Sequence, residues 1–299
     1  MVAPILLLGA AGQIGWELCR VLAPLGPIEA PGRAQFDLSD EAQVRRHVRA
    51  TRPALVVNAA AYTAVDKAEE EERTAMIVNG LAPGWLAEEA AVLGIPLVHY
   101  SSDYVFGGGP APSRPHHETD PPAPVNAYGR TKLAGERAVA AVGGAHLIFR
   151  TSWVYGTRGR NFLVTIRRLA SEQDELRVVN DQVGAPTWAR LVAEATGQAL
   201  AHAWRPGTTE PLSGRGGLYH LSAAGTTSWH GFAEAIVEAL RQDGEPNLCV
   251  RRVTAVASTE LPRPARRPRY SVLDNEAIFR AFAIRLPDWR SQLGLCLAR

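Results

Sequence analysis

Cysteine is scarce in this chain of 299 residues, which contains only Cys19, Cys249 and Cys296. Three widely spaced cysteines form neither a disulfide framework nor a metal-binding motif, which fits a reducing compartment. Charge of one sign is not in excess either, because 32 Lys and Arg residues oppose 30 Asp and Glu residues for a net charge of +2. That balance argues against a nucleic acid or a membrane surface as the partner.

The sequence also lacks a membrane-spanning hydrophobic run. The opening MVAPILLLGAAG is apolar, but it has no charged leader and is too short to cross a bilayer. We therefore expect a buried strand there and a cytoplasmic protein. Apolar and charged residues make up 46% and 21% of the chain, which is typical of a globular protein with a sizeable core.

What the sequence does contain is an alternation of short apolar runs and helical patterns. Buried strands are predicted at residues 2–8, 54–58, 96–101 and 146–150, with helices at 13–25 and 69–93 among them. Strands separated by helices imply right-handed crossovers, so the expected fold class is α/β with a doubly wound parallel sheet.

The second half of the sequence is less regular. Helices are predicted at 161–171, 188–203, 230–240 and 275–282, with strands at 176–179 and 218–221. This mixture indicates a smaller mixed α/β lobe over the carboxyl edge of the sheet. Proline and glycine concentrate in residues 107–124 and 205–217, which predicts loops there.

Three glycines, Gly9, Gly12 and Gly15, follow the first predicted strand and enclose Gln13 and Ile14 at the start of the first helix. Such a turn lets backbone amides approach a pyrophosphate at the positive helix N-terminus. A tight turn without a ligand is the alternative. We predict a Rossmann-type NAD(P)-binding domain over residues 1–150 and a substrate-binding lobe over 151–299, with some segments of the second returning to the first.

The residues after the second predicted strand bear on the choice of cofactor. Glu29 falls too early to bind an adenosine ribose, whereas Arg33 is placed to meet a 2′-phosphate or to be an ordinary solvated cation. Asp37 and Leu38 are expected to begin the next helix and to line the adenine pocket. This pattern favours NADPH and leaves NADH open as a second hydride donor.

Tyr128 and Lys132 lie four residues apart within NAYGRTKLAGE, which reads as a helix start. This spacing puts both side chains on one helix face, about 5–6 Å apart at Cβ. A lysine at that distance would lower the pKa of the phenol and let it exchange a proton near neutral pH. An exposed amphipathic helix face is the alternative interpretation.

Together with Ser101-Ser102-Asp103 at a strand end, these motifs resemble an extended short-chain dehydrogenase/reductase. Within that group the sequence resembles the dTDP-4-dehydrorhamnose reductase family. The resemblance rests on NAAAYTAVDKAE (58–69), HYSSDYVF (99–106), FRTSWVYG (149–156), NDQVGAPT (180–187) and GTTSWHGFA (225–233). It implies reduction of the 4-keto group of dTDP-4-dehydro-L-rhamnose to dTDP-L-rhamnose with NADPH or NADH, a step towards cell-envelope polysaccharide.

The resemblance also implies roles for individual residues. Tyr128 would donate the proton, Lys132 would hold the nicotinamide ribose, and Ser102, where the family usually has threonine, would bind the keto oxygen. Residues flanking the cofactor would be Ala61, Tyr62 and Thr63. Residues on the sugar side would be Asp103, Tyr104, Trp153, Asn180 and Gln182. Arg267 and Arg269 would pair with the diphosphate, although arginines of a basic surface loop are the ordinary alternative. For Trp153 the alternative is an aromatic residue buried in the core.

No metal is predicted. Some family members use magnesium through glutamates, but only Glu17 remains here, and Arg190 and Arg290 stand where other carboxylates are expected. His116 and His117 are expected to be a solvated loop. A homodimer and a monomer both stay open. The rival functions are another nucleotide-sugar reductase, dehydratase or epimerase and a non-catalytic reductase-like regulatory subunit.

Overall fold

A computed structural model describes residues 2–109 and 112–298. Its strands are β1 (Ile5–Leu8), β2 (Ile28–Glu29), β3 (Leu55–Asn58), β4 (Leu97–Ser102), β5 (His146–Thr151), β6 (Val154–Tyr155), β7 (Glu175–Val179), β8 (Val183–Gly184), β9 (Thr187–Trp188), β10 (Gly217–His220), β11 (Thr227–Ser228) and β12 (Arg252–Val256). Its helices are α1 (Gln13–Val21), α2 (Glu41–Thr51), α3 (Glu72–Met76), α4 (Ala82–Leu93), α5 (Ala127–Val142), α6 (Phe162–Glu172), α7 (Ala189–Ala203), α8 (Trp229–Gln242), α9 (Glu276–Phe282) and α10 (Trp289–Leu297).

Six parallel strands form the central sheet in the order β10-β5-β4-β3-β1-β2. The strands β1, β3 and β4 are buried along their whole length, as their continuous apolar sequences predict. The chain reverses its direction of winding between β1 and β3, so their carboxyl ends open a crevice where ligands of such sheets bind. The predicted α/β class with a parallel sheet is confirmed.

Apolar side chains fill both faces of the sheet and a further core beside it. The separate core forms between α6, α8, α10 and the paired strands β7 and β12. Later segments also return to the main sheet, because β10 pairs with β5 and α7 packs on α1. The division of the chain near residue 150 stays a prediction. Among the described residues, no helix combines the length and the apolarity that crossing a membrane requires.

Some predicted boundaries were wrong. The first strand begins at Ile5 rather than at residue 2, and α2 begins at Glu41 rather than at Asp37. Asp40 is the N-cap of α2, because its side chain accepts a hydrogen bond from the main-chain N–H of Gln43 at 2.9 Å. The sequence patterns also missed β12 and α10. Residues 110 and 111, within the predicted loop 107–124, lie outside the described residues.

Glycine allows α5 to approach the segment between α3 and α4 closely. That segment, Ile77–Leu81, is π-helical, a feature that is frequent near functional sites. A Cβ atom at Gly135 of α5 would overlap the main-chain oxygen of Asn79. Since backbone atoms cannot move aside cheaply, a side chain at this position would push α5 away from this segment.

We expect Gly135→Ala to lower the free energy of unfolding by about 1–3 kcal/mol, because the added methyl group overpacks this contact. Gly294→Ala is the matched control, since a Cβ there meets nothing within 4 Å in α10. It should stabilise the protein by about 0.5–1 kcal/mol through helix propensity alone. Denaturant titration measures both values, and a gain in stability from both substitutions would contradict the packing account.

Candidate active site

The glycine turn between β1 and α1 forms a cradle for an anion. Gly9 has φ of 82°, and a Cβ at Gly15 would overlap the main-chain oxygen of Gly9, so the turn requires glycine at both positions. Gly12 caps α1 without a side-chain hydrogen bond, and no acidic residue lies in the first turn. The first N–H groups of α1 are therefore available to a phosphate.

The other residues of the turn have different surroundings. Gln13 donates a hydrogen bond to the carbonyl of Val154 at 3.3 Å and accepts one from Asn161 at 2.8 Å. Its side chain thus joins the turn to the region after β5. Ile14 packs against the main apolar core.

The loop after β3 is fixed by a buried residue that the sequence motifs did not reveal. The side-chain oxygen of Asn79 accepts from the N–H of Tyr62 at 2.8 Å, and its amide donates to the Tyr62 carbonyl at 3.0 Å and to Thr131 at 3.2 Å. Asn79 thereby holds the predicted cofactor residues Ala61, Tyr62 and Thr63 beside α5. The Tyr62 hydroxyl donates to Glu71 at 2.6 Å.

Arg33 is exposed in the turn between β2 and α2. It contributes to holding the pKa of Asp37 below its usual value, although hydrogen bonds from Ser39 are the larger cause. Leu38 is buried. These positions follow β2 at the sheet edge next to β1, on the side where an adenosine is expected.

The helix start predicted around Tyr128 and Lys132 is present. The Asn126 side chain accepts a hydrogen bond from the N–H of Gly129 at 2.8 Å and so caps α5. The Tyr128 ring packs edge-on against Tyr104, with 5.5 Å between ring centroids. The Lys132 side chain is buried, and its Nζ donates to the carbonyl of Tyr100 at 2.6 Å.

The expected lowering of the phenol pKa by Lys132 does not occur in this structure. Desolvation raises the pKa of Tyr128 to about 12, and only the Ser102 side chain opposes this rise. Burial instead lowers the pKa of Lys132 to about 8, against the influence of Glu136. The prediction considered the spacing of the two residues but not the desolvation of both.

Ser102 ends β4, and Asp103 follows it in a buried polar cluster. The Ser102 hydroxyl donates to Asp103 at 3.0 Å and accepts from the N–H of Tyr104 at 3.1 Å. Ser152 donates to the other carboxylate oxygen at 3.1 Å. Burial raises the pKa of Asp103 to about 6, although hydrogen bonds from Ser271, Ser102 and Ser152 limit the rise. A raised pKa in a cleft is typical of functional carboxyl groups.

Trp153 is held in a conformation that is rare for a non-glycine residue, with φ of 45°. Its indole ring stacks on Trp229, with 3.5 Å between centroids and 4° between planes. Gly184 also lies against the ring, because a Cβ there would collide with the indole. The half-buried ring is therefore a rigid wall of the site.

A separate cleft of about 560 Å³ is lined by several arginines. Gln182 lines the cleft, whereas Asn180 is exposed and accepts a hydrogen bond from Ser228 at 2.7 Å. Arg267, one of the two arginines expected to pair with the diphosphate, donates from its guanidinium to the Asp66 carboxylate at 2.6 and 2.9 Å. Exposed arginines that also line the cleft are Arg263, Arg266 and Arg269.

The two histidines of the proline-rich loop differ from each other. His116 is not solvated as predicted, because its ring stacks on Phe106 with 4.0 Å between centroids. His117 is half-buried, with its Nδ1 3.5 Å from a carboxylate oxygen of Asp274. Over residues 2–109 and 112–298, no group of three or more His, Cys, Asp or Glu side chains is arranged to hold a metal ion.

The parallel sheet, the glycine cradle and the Ser102, Tyr128 and Lys132 set define an NAD(P)-dependent oxidoreductase of the short-chain dehydrogenase/reductase type. The family model for the RmlD substrate binding domain matches residues 3–299. The dTDP-4-dehydrorhamnose reductase of Burkholderia thailandensis is 51% identical over 294 residues, which is 98% of this chain and 97% of that protein. The chain therefore belongs to the dTDP-4-dehydrorhamnose reductase family.

Further relatives agree. The reductase of Escherichia coli K12 is 47% identical over 290 residues, covering 96% of this chain and 94% of that protein. A crystal structure of the Bacillus anthracis reductase in complex with NADP superposes with a TM-score of 0.86 at 33% identity, over 99% of each chain. The predicted family is confirmed.

We expect Asp103→Asn to stabilise the protein at neutral pH. The folded state raises the carboxyl pKa from 3.8 to about 6, so the wild-type free energy of unfolding falls as pH rises through this window. Removing the charge should recover roughly 2–3 kcal/mol at pH 7.5 and little near pH 4.

Asp120→Asn is a control in which removal of the charge should have the opposite effect on stability. Arg114 holds the pKa of Asp120 below its usual value, so the charged form is the one that stabilises the fold. The substitution should lower the melting temperature at pH 7.5. Melting curves between pH 4 and pH 8 test both substitutions, and an Asp103→Asn variant that is less stable at pH 7.5 than wild type would contradict the assignment.

Proposed function

We propose that this protein reduces the 4-keto group of dTDP-4-dehydro-L-rhamnose to give dTDP-L-rhamnose, with NADPH as the hydride donor. The observation that carries the proposal is that α5 brings Tyr128 to the Ser102 side chain and Lys132 to the Tyr100 carbonyl near the end of β4, in a chain matching its family over nearly its full length. NADH stays open as a second donor.

The proposed chemistry assigns the proton to Tyr128. The nicotinamide cofactor supplies the hydride when it is bound. With a pKa of about 12, the Tyr128 hydroxyl keeps its proton at neutral pH until negative charge develops on the substrate oxygen. Ser102 would donate a hydrogen bond to the same oxygen. Lys132 lies one helical turn from Tyr128 and would hold the nicotinamide ribose.

The sugar nucleotide would lie between the strand ends and the arginine-lined cleft. Asp103, Tyr104 and the rigid Trp153 wall would contact the sugar, with Asn180 and Gln182 further along. The diphosphate would be bound by Arg269 rather than Arg267, because the guanidinium of Arg267 is already paired with Asp66.

Two rival functions are less well supported. A 4,6-dehydratase requires an acid–base carboxylate pair at the end of β4, but the residue after Asp103 is Tyr104. A purely regulatory subunit has no need for a buried lysine beside an ordered tyrosine. Turnover of the keto sugar distinguishes the proposed reductase from both.

Tyr128→Phe should lower kcat at least ~10²-fold while the affinity for NADPH barely changes, because only the proton donor is lost. Tyr219→Phe is the control, since the Tyr219 hydroxyl donates to the carbonyl of Arg215 at 3.0 Å, away from the site. NADPH oxidation with dTDP-4-dehydro-L-rhamnose measures both. Near-normal turnover by the Tyr128→Phe variant would refute Tyr128 as the donor.

Arg33→Ala should weaken NADPH binding roughly five- to hundred-fold and leave NADH binding almost unchanged, because the guanidinium would contact only the 2′-phosphate. Arg46→Ala, an exposed arginine of α2, is the matched control. The measurement is the Kd of each cofactor at one ionic strength, since salt screens exposed charges. An equal loss for both cofactors would mean that Arg33 only shapes the loop.

A further inference from the structure

His99 is a buried histidine that the proposed chemistry does not use. It lies on β4, three residues before Ser102, and none of its surface is exposed. Its Nε2 is 3.5 Å from the Nζ of Lys132, and its Nδ1 is 3.3 Å from the side-chain nitrogen of Asn58 on the neighbouring strand β3. The three buried side chains Asn58, His99 and Lys132 thus form a row behind the site.

The direction of the hydrogen bonds in this row follows from the backbone. The side-chain oxygen of Asn58 accepts from the N–H of Ala60 at 3.2 Å. A carboxamide has only one oxygen, so its NH₂ group faces His99, and Nδ1 of His99 accepts. Reversing the amide would place two donors against each other at Ala60.

The protonation of His99 then follows. Burial, with the charge of Lys132 as the smaller cause, lowers the pKa of His99 well below its usual value, so the ring is neutral and carries one proton. Because Nδ1 accepts from Asn58, that proton lies on Nε2. The N–H of His99 therefore points at the nitrogen of Lys132.

This contact distinguishes the two forms of Lys132. The ammonium form has three N–H donors and no lone pair, so it cannot accept from His99, whereas the neutral amine can. The contact of 3.5 Å is long, while the hydrogen bond from Nζ to the Tyr100 carbonyl is 2.6 Å. His99 thus favours the neutral amine form of Lys132, while the hydrogen bond to the Tyr100 carbonyl keeps Nζ at β4.

We propose that Asn58 and His99 are positioning residues that prepare Lys132 to give up a proton to Tyr128 during turnover. The inference rests on the proposed function. Tyr128 transfers its O–H proton to the substrate alkoxide, which gives the alcohol and a phenolate. The phenolate takes a proton from the Lys132 ammonium, which becomes an amine that accepts from His99, and a proton from solvent then restores the ammonium.

Glu136 is a charged group near Lys132 and acts in the opposite direction to His99. Glu136, on the next turn of α5, favours the ammonium, but its carboxylate is bound by Arg150 at 2.8 and 2.7 Å. Burial outweighs Glu136, and the pKa of Lys132 falls to about 8. His99 approaches Lys132 from β4, whereas Glu136 lies on the same helix as Lys132.

The tautomer of His99 can be measured without any substrate. Long-range ¹H–¹⁵N spectra of histidine-labelled wild-type protein, with His99 assigned by the loss of its signals in His99→Leu, report which ring nitrogen carries the proton. We expect the proton on Nε2 and no titration of the ring between pH 6 and pH 8. A proton on Nδ1 would overturn the proposal, whatever the enzyme's activity.

A kinetic test asks whether the effect passes through His99. The carboxylate of Asn58→Asp supplies only hydrogen-bond acceptors, so it should move the His99 proton to Nδ1. We then expect kcat to fall and the apparent pKa of the basic limb of the kcat–pH profile to rise by about one unit. In a His99→Leu background the same substitution should leave the limb almost unmoved. Equal shifts in both backgrounds would mean that the charge acts directly and would overturn the proposal.

Thr196→Val is the control for these variants. It removes a buried hydrogen bond of 2.7 Å to the Tyr100 hydroxyl, on the side chain that points away from Lys132. It should lower the melting temperature and leave the pH profile of kcat unchanged. A shift of its basic limb equal to that of Asn58→Asp would show that general loosening, and not His99, moves the profile.

Discussion

A buried ammonium group needs a fixed acceptor, and for Lys132 that acceptor is the main-chain oxygen of Tyr100, 2.6 Å away. The bond fixes α5 relative to the carboxyl end of β4, and with it the position of Tyr128 beside the Ser102 side chain. Two other features of α5 make this contact possible. Asn126 starts the helix at the required residue, and Gly135 lets α5 lie close to the π-helical segment. A lysine placed without such support would be too costly to bury.

Desolvation is the common cause of the unusual protonation properties of the site. It raises the pKa values of Asp103 and Tyr128 and lowers those of Lys132 and His99. Each shift favours the uncharged form of the group concerned. Tyr128 therefore holds its proton more tightly and Lys132 releases its proton more easily, and perturbed pKa values of this kind are expected where a ketone oxygen becomes an alcohol.

Local patterns in the sequence were sufficient for much of the fold and for the centre of the site. The glycine turn and the Tyr128–Lys132 spacing each lie within one short segment, so their geometry follows from one strand end or one helix. Contacts between distant segments were not predictable in this way. Asp66 pairs with Arg267, and Asn79 clamps Tyr62, because the tertiary fold brings these residues together. The start of α2 was misplaced because Asp37 and Asp40 are both credible helix caps.

The most direct test of the account is a wild-type reaction in which NADPH oxidation and product formation are followed together. With dTDP-4-dehydro-L-rhamnose, the account predicts one dTDP-L-rhamnose formed for each NADPH oxidised, with the transferred hydrogen at C4 when deuterated NADPH is supplied. Absence of NADPH oxidation by folded protein that binds the cofactor would contradict it. So would conversion of the sugar nucleotide without net oxidation of the cofactor, since that is the behaviour of an epimerase or a dehydratase.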